Sequence, residues 1–258
     1  MIIAILQARV SSSRLPGKVL KPILGVPMLF HQIERIKRSK MIDRLLVATS
    51  TDPTDDLIEK YCQQRDVECF RGKLDDVLDR FYQAANSISP EHIVRLTGDC
   101  PLCDPELIDK IIIHHLSGDF DYTSNTITPT FPDGLDTEVF RFSCLKQAWQ
   151  EAKLPSQREH VTPFIHSQPN RFRLGIYKQN TDLSYLRWTV DEPLDFDLVA
   201  KIYTALYPSN PRFSTQNILN LLEQNPDLKT FNTCYPRNEG WQKSLISDEI
   251  FISQNAGA

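Results

Sequence analysis

The residues with the clearest chemical content fall within the first twenty positions. Residues 7–18 carry three cations, Arg9, Arg14 and Lys18, together with three consecutive serines, Ser11, Ser12 and Ser13. Cations offset the charge of a polyphosphate. Compact side chains such as Ala8, Ser11 and Ser13 let backbone N–H groups approach an anion closely. The apolar run over 2–6 reads as a short buried strand. The basic loop therefore leaves the end of a strand, which is where α/β sheets bind ligands. It is not a Walker A loop, because the first glycine is absent and Val19, rather than Ser or Thr, follows Lys18. The bland alternative is a solvated basic turn.

Two aspartates complete the chemistry that such a loop could begin. Asp99 follows the apolar strand expected over 92–97, and Gly98 before it permits close backbone approach. Asp191 ends the alternating run 185–190, and Pro193 beyond it marks the start of a helix. Magnesium is satisfied by a few carboxylates plus phosphate oxygens and water, so one or two aspartates suffice. The competing reading for each is an N-cap or turn aspartate, and Asp195 is assigned to capping. Arg95 lies within a strand, where a buried ion pair is an alternative role.

Five strings occur in order: Gln7 to Lys18, Arg95-Leu96-Thr97-Gly98-Asp99, Pro132-Asp133-Gly134-Leu135-Asp136, Arg158-Glu159-His160-Val161-Thr162-Pro163 and Trp188-Thr189-Val190-Asp191. Together they resemble the SpsF-type cytidylyltransferases of spore coat polysaccharide biosynthesis, relatives of the CMP-KDO and CMP-acylneuraminate synthetases. The resemblance spans about residues 1–207. It implies a three-layer α/β/α, nucleotide-diphospho-sugar transferase-like fold with a mostly parallel central sheet and a small extension. It also implies activation of a sugar, a sugar acid in the first instance, with CTP to give a CMP-sugar and pyrophosphate.

The resemblance carries further implications for cofactor, site and assembly. Mg²⁺ is the cofactor, held by Asp99 and Asp191, with Lys18 beside them as catalytic residues. Ala8, Arg9, Ser11, Ser13, Arg14, Lys18 and Gly98 form the nucleotide site, and Arg71, at the end of the third strand, reads the cytosine edge. An exposed strand-end arginine is the alternative for Arg71. On the sugar side, Asp133, Asp136 and Glu138 can accept hydrogen bonds from hydroxyls, while Arg158 and His160 can contact a carboxylate or phosphate. His160 is a general base or, at the start of a helix, only a structural donor. The Pro-Asp-Gly-Leu-Asp and Arg-Glu-His strings replace what the KDO enzymes have there, so the acceptor need not be KDO. A homodimer is implied by the resemblance alone.

The elements that must position these residues follow from periodicity. Short β-branched runs alternate with amphipathic stretches, the pattern of a parallel sheet with helices on its faces. Strands are expected over 2–6, 45–49, 67–70, 92–97, 135–140, 172–177 and 185–190. Helices are expected from Pro27 and over 52–64, 75–87, 105–116, 143–152, 195–206 and 215–225. Residues 1–225 read as one nucleotidyltransferase domain, with a nucleotide-binding half (1–116) and a sugar-binding or dimerisation half (117–225). Residues 226–258 read as an irregular tail or a partner-contacting arm.

Composition narrows the class. The 258 residues carry a net charge of −4, with 41% hydrophobic content. That argues against a general nucleic-acid binder, which needs a broad basic face. No apolar stretch is long enough to span a bilayer and no basic leader precedes the first strand, so a cytoplasmic protein is expected. The six cysteines are scattered. Cys100 and Cys103 form a C-x-x-C without a second pair for zinc, leaving a redox site or incidental loop thiols. Three rival functions remain. One is a sugar-1-phosphate nucleotidyltransferase, although its first loop is usually richer in glycine. Another is a glycosyltransferase using Asp119-Phe120-Asp121 as a D-x-D, although that string reads more simply as a polar turn. The last is a nucleotide-binding scaffold without turnover.

Overall fold

The period of two in the first strand organises the whole molecule. In β1 (Ile2–Gln7), Ile2, Ala4 and Leu6 enter one apolar core while Ile3 and Ile5 enter another. A strand buried on both faces requires this. The structure is a computed structural model and describes residues 1–237 and 239–255.

After β1 the chain forms a short hairpin, β2 (Pro22–Ile23) and β3 (Val26–Pro27), and enters α1 (Met28–Ile36). Regular alternation follows: β4 (Arg44–Ser50), α2 (Asp56–Gln64), β5 (Glu68–Gly72), α3 (Val77–Asn86), β6 (His92–Thr97) and α4 (Pro105–Ser117). The second half adds β7 (Tyr122–Ser124), β8 (Glu138–Arg141), α5 (Phe142–Glu151), α6 (Pro155–His160), α7 (Pro163–His166) and β9 (Leu174–Ile176). It closes with α8 (Pro193–Leu206), α9 (Thr215–Gln224), α10 (Pro226–Lys229) and α11 (Glu239–Asn255).

Seven strands form one sheet in the order β5-β4-β1-β6-β8-β7-β9. β8 runs antiparallel to both neighbours, and every other pairing is parallel. Helices α1, α2, α4, α8 and α9 cover one face of the sheet, and α3, α5 and α7 the other. The three-layer α/β/α arrangement implied by the sequence is therefore the fold. From β1 the chain first moves to β4 on one side and later returns to β6 on the other. The ends of β1 and β6 thus open where strand order reverses, the place at which such sheets hold ligands. Among the described residues, no helix is long and apolar enough to cross a membrane.

Besides β7, α6 and α7, which were not expected, three regions differ from expectation. Residues 185–190 alternate in residue type as a strand should, although Arg187 and Thr189 are buried along with Leu186, Trp188 and Val190. Yet they join no sheet. A lone bridge links Asp133 and Arg187, and the Trp188 and Val190 N–H groups donate to the carbonyls of Asp133 (2.6 Å) and Asp99 (2.8 Å). Alternation reports which side is buried, not which backbone is the partner. Pro27 ends β3 and stands at the N-cap of α1, one position before the helix. The region from residue 226, expected to be irregular, holds α10 and the 17-residue α11. Two of the buried positions of α11 are polar, Ser244 and Asp248. The helix therefore lacks the apolar stripe by which a packed helix is recognised.

Gly134 makes the contact between loops possible. Its φ is +105°, and a Cβ there would lie 2.4 Å from the Thr189 nitrogen. Neither the conformation nor the space suits any other residue. Gly134→Ala is expected to cost at least ~2 kcal/mol, from left-handed strain plus overpacking. Urea unfolding measures this; a loss below ~0.5 kcal/mol, the size of an ordinary surface change, would show that the two loops are not in register as described.

Candidate active site

The loop after β1 is held at its base by a buried carboxylate. Asp55 is wholly buried and accepts from the Val10 N–H (2.7 Å), the Ser50 N–H (3.1 Å) and the Ser50 hydroxyl (2.5 Å). Gly17, at φ 70°, turns the chain and directs Lys18 back toward the sheet. The Lys18 ammonium then donates to Asp191 Oδ1 (2.7 Å), Asp99 Oδ2 (3.2 Å) and the Val190 carbonyl (2.7 Å). Three loops converge on one charge. Gly98 lets them do so: its N–H donates to the Gln7 carbonyl at 2.7 Å, and a Cβ would sit 3.0 Å from that oxygen.

Burial alone would push the Lys18 ammonium down, but Asp99 and Asp191 outweigh it and hold its pKa above the ordinary lysine value. Burial would likewise raise Asp99. Lys18 and a hydrogen bond from Thr97 overcome this and bring it to about 2. Asp191 also faces Arg14 at 3.0 Å and Arg187 at 3.5 Å, and Arg14 reaches Glu192 at 3.6 Å. At neutral pH the cluster is thus an ionised lysine between aspartates.

Two cavities meet at this cluster. A cleft of about 380 Å³ is lined by Ala8, Arg9, Ser13, Arg14, Lys18 and Gly98, together with both aspartates. An adjoining cavity of about 530 Å³ is lined by Asp133, Asp136, Glu138, His160 and Arg187, again with both aspartates. Asp99, Asp191, Arg14, Thr97 and His160 belong to both. A further cavity of about 560 Å³, between α4, residues 131–135 and α9, includes neither aspartate nor any residue of the basic loop. A basic strand-end loop facing two aspartates, with room on either side, suits transfer between an anionic donor and a second substrate.

Residues 3–232 match the cytidylyltransferase family. The chain belongs to that family. It is 34% identical to the spore coat polysaccharide biosynthesis protein SpsF of Bacillus subtilis, over 89% of this chain and 97% of that one. A solved cytidylyltransferase from Leptospira borgpetersenii serovar Hardjo-bovis superposes with a TM-score of 0.85 at 30% identity, covering 91% of this chain and 99% of that one. A solved CMP:2-keto-3-deoxy-manno-octonic acid synthetase complexed with CTP shares the fold. Its TM-score is 0.63 at 16% identity, over 79% of this chain and 98% of that one. The protein is thus a nucleotidyltransferase of the cytidylyltransferase family.

In this cytidylyltransferase the structure gathers most of the expected residues and sets others apart. Ala8, Arg9, Ser13, Arg14, Lys18, Gly98, Asp99 and Asp191 stand together in the cleft. Ser11 is exposed and outside the lining, which Ser12 joins instead. Arg71 is also outside it. Its guanidinium is engaged by the carbonyls of Ser50 (2.9 Å) and Asp52 (3.1 Å) and by Asp56 (2.6 Å) and Glu59 (2.9 Å). Four acceptors at the sheet edge leave it a clamp for α2, not a group aimed at a base in this cleft. Arg158 is likewise structural: it ion-pairs with Asp76 and donates to the Trp149 carbonyl at 3.0 Å, tying α6 to α3 and α5. It lines neither cavity of the site.

Asp133, Asp136, Glu138 and His160 do line the second cavity. Glu138 is committed internally, to Arg95, the Tyr122 hydroxyl (2.7 Å) and the Thr162 hydroxyl (2.5 Å). The buried ion pair considered for Arg95 is therefore present. Asp133 is held by Arg187 at 3.3 Å and Asp136 by Arg237 at 3.1 Å. Burial pushes the Asp136 carboxyl up to about 7 despite Arg237, so near neutral pH it can give or accept a hydrogen bond. His160 ends α6 rather than starting a helix, and its Nε2 meets the Ser244 hydroxyl at 2.8 Å. Burial and Arg95 lower its pKa, so the imidazole is neutral at pH 7.

Two of the alternative readings lose their footing. Asp119 and Asp121 both pair with Arg141 and line neither cavity of the site, so they form a turn, not a D-x-D metal site. Burial raises both the Cys100 and Cys103 thiols, the latter to about 12, which is contrary to a reactive pair. Arg187, which lines the second cavity and pairs with Asp133, Asp191 and Asp195, is the residue of the site that sequence reasoning missed. Its signal was readable: Arg187, Thr189 and Asp191 occupy the face of the 185–190 segment opposite buried Leu186, Trp188 and Val190.

Lys18→Met tests the electrostatics directly. Asp99 is depressed in the folded state, so its contribution to stability is complete above the unfolded carboxylate value and is lost as pH falls from about 4 to about 2. In the variant that acid-limb loss should shrink by about 1–2 kcal/mol, a figure reduced for the partial exposure of Asp99. Denaturation curves between pH 2 and 6 measure it, and an unchanged limb would mean Lys18 does not set the Asp99 pKa.

Proposed function

We propose that this cytidylyltransferase transfers CMP from CTP to a sugar hydroxyl, a sugar acid in the first instance, yielding a CMP-sugar and pyrophosphate for glycan biosynthesis. The observation that carries the reading is the Asp99–Lys18–Asp191 cluster at the junction of two cavities. The basic loop suits the triphosphate in the smaller cleft, and the hydroxyl-accepting carboxylates Asp133 and Asp136 suit a sugar in the larger. The solved relative complexed with CTP shares the fold, and the SpsF protein is named for polysaccharide biosynthesis.

In the reaction, the sugar hydroxyl oxygen forms a bond to the α-phosphorus and gives up its proton to solvent, while the bond from that phosphorus to the bridging oxygen breaks and pyrophosphate leaves with the electron pair. Arg9, Arg14 and Lys18 bind and orient the phosphates, which holds the attacking oxygen in line. Asp133 and Asp136 fix the sugar through its hydroxyls. Asp99 and Asp191 fit a Mg²⁺ ion, because their oxygens already converge on a single cation, the Lys18 ammonium, at 3.2 and 2.7 Å. Among the described residues no group of three or more metal-ligating side chains is found, so such an ion would take its remaining ligands from phosphate oxygens and water. When bound, Mg²⁺ supplies charge neutralisation of the triphosphate.

The test is pyrophosphate release from CTP with Mg²⁺ against a panel of nonulosonic and related sugar acids. Asp99→Asn should lower turnover at least ~100-fold, about 2.7 kcal/mol of transition-state stabilisation, with the fold intact. Absence of CTP binding by calorimetry, or consumption of a preformed nucleotide sugar instead, would overturn the reading.

Contact with the outer phosphates gives a second outcome. Lys18→Ala should weaken CTP more than CMP, because the ammonium faces the charge that only the triphosphate carries. Equal losses for the two nucleotides would place Lys18 at the α-phosphate or the nucleoside instead.

A further inference from the structure

The C-terminal arm crosses the site before it ends as α11. Asn232 donates to Asp195 (2.7 Å) and to the Arg187 carbonyl (3.0 Å), and Arg187 reaches the Pro236 carbonyl at 3.3 Å. Arg237 then holds Asp136. Beyond residue 232, where the family match ends, α11 brings Gly240, Ser244 and Ser247 to the 380 Å³ cleft and Trp241 to the 530 Å³ cavity. Positions 240, 244 and 247 share one helix face. That face stands in the same cleft as the basic loop, and its short side chains leave the space between them open.

The docking of this helix is polar and local. Asp248, itself buried, accepts from the Ser156 N–H (2.8 Å) and the Ser156 hydroxyl (2.5 Å). One turn earlier, the Ser244 hydroxyl donates to Glu159 at 2.7 Å and meets His160, and the Trp241 ring packs edge-on against His160 at 5.3 Å. All of these partners lie on α6. Among the described residues none from α11 belongs to either apolar core. The helix can therefore be undocked without dismantling the fold.

We propose that α11 is a working wall of the nucleotide cleft: CTP lies between the basic loop and the Gly240–Ser244–Ser247 face, and Asp248 is the positioning residue that docks it. This rests on the CTP reading given above. The wall explains why a helix that leaves Leu245, Ile246, Ile250 and Ile252 exposed is clamped by buried hydrogen bonds. A bound triphosphate would add contacts from the other side and hold the helix more firmly.

Calorimetry with CTP and Mg²⁺ on the full chain is the test. Asp248→Ala should raise the CTP Kd at least ~10-fold through lost docking, while Asp248→Asn, whose amide can still accept from the N–H and donate to the hydroxyl, stays within ~3-fold. Ser247→Trp fills the cleft while leaving Ser244 and Asp248 unchanged in sequence, and should also weaken CTP by ~10-fold or more. In limited proteolysis, CTP should protect residues 233–238 of the wild type and fail to protect them in Asp248→Ala. If the wild type binds no CTP, the functional reading falls. If it binds and Ser247→Trp binds equally well, α11 is no wall and this inference alone is overturned. Should Asp248→Ala prove unfolded, the Ser247→Trp result decides.

Discussion

One ammonium between two carboxylates holds the site in its arrangement. Asp99 and Asp191 approach the same point from opposite sides, and two carboxylates so placed repel one another unless a cation stands between them. Lys18 is that cation, contributed from 81 residues before Asp99 and 173 before Asp191. Its position depends on the Gly17 turn and on Asp55 below the loop. The aspartates in turn depend on the ends of β6 and of the 185–190 segment. The sheet must therefore place three separate chain ends within a few ångströms. It does so only where β1 and β6 lie side by side and the strand order reverses.

A second network supports the first and joins it to the sugar side. Asp195, wholly buried, accepts from Arg187 at 2.8 and 2.9 Å, from the Asp191 and Glu192 N–H groups at 3.0 Å each, and from Asn232 at 2.7 Å. It caps α8, as its position in the sequence implied, but the same carboxylate fixes the backbone of Asp191. Arg187, held by Asp195, also touches Asp133 and Asp191. An uncompensated charge in this setting would be expensive, on the order of 3–5 kcal/mol when one partner of a buried pair is removed. Here each buried charge has an opposite neighbour and hydrogen bonds besides, so the start of α8, Asp191 and Asp133 are set together.

How much of this was legible in the sequence depends on how local its cause is. The strands and helices of the first half follow from period and capping. Asp52, Asp76 and Asp104 each cap a helical segment, as short-range chemistry dictates. That the loop cations gather with Gly98 and Asp99 was legible because β1 and β6 end at one shared edge; Asp191 reaches that edge although the 185–190 segment joins no sheet. That Arg71 and Arg158 stand outside the two cavities, engaged by protein acceptors, was not legible for one reason. An arginine at a strand end or on a short helix looks the same whether it awaits a ligand or clamps a neighbouring element, and only the positions of Asp56, Glu59 and Asp76 decide. The 185–190 segment was read as a strand, but its backbone partners are the residues of two loops, Asp133 and Asp99, not a sheet neighbour. α11 escaped because what anchors it, Ser156 with Asp248, lies 92 residues apart in sequence and leaves no apolar period.

On the proposed function, the sugar side is less legible for a physical reason that bears on specificity. The phosphate side needs generic chemistry, several cations and close backbone, so residue types alone reveal it. Recognition of an acceptor needs a particular pattern of donors and acceptors. Here the same residues that could supply it are shared with the scaffold: Glu138 is spent on Arg95, Tyr122 and Thr162, and Asp133 and Asp136 are paired with Arg187 and Arg237. A substrate hydroxyl entering this cavity would meet polar atoms already held in place, which favours a sugar whose groups fit them as they stand. On the proposed function, selectivity would then reside in the spacing of the paired carboxylates. That spacing is set jointly by the 132–136 loop, the 187–191 segment and the arm bearing Arg237, three segments no one of which encodes it alone.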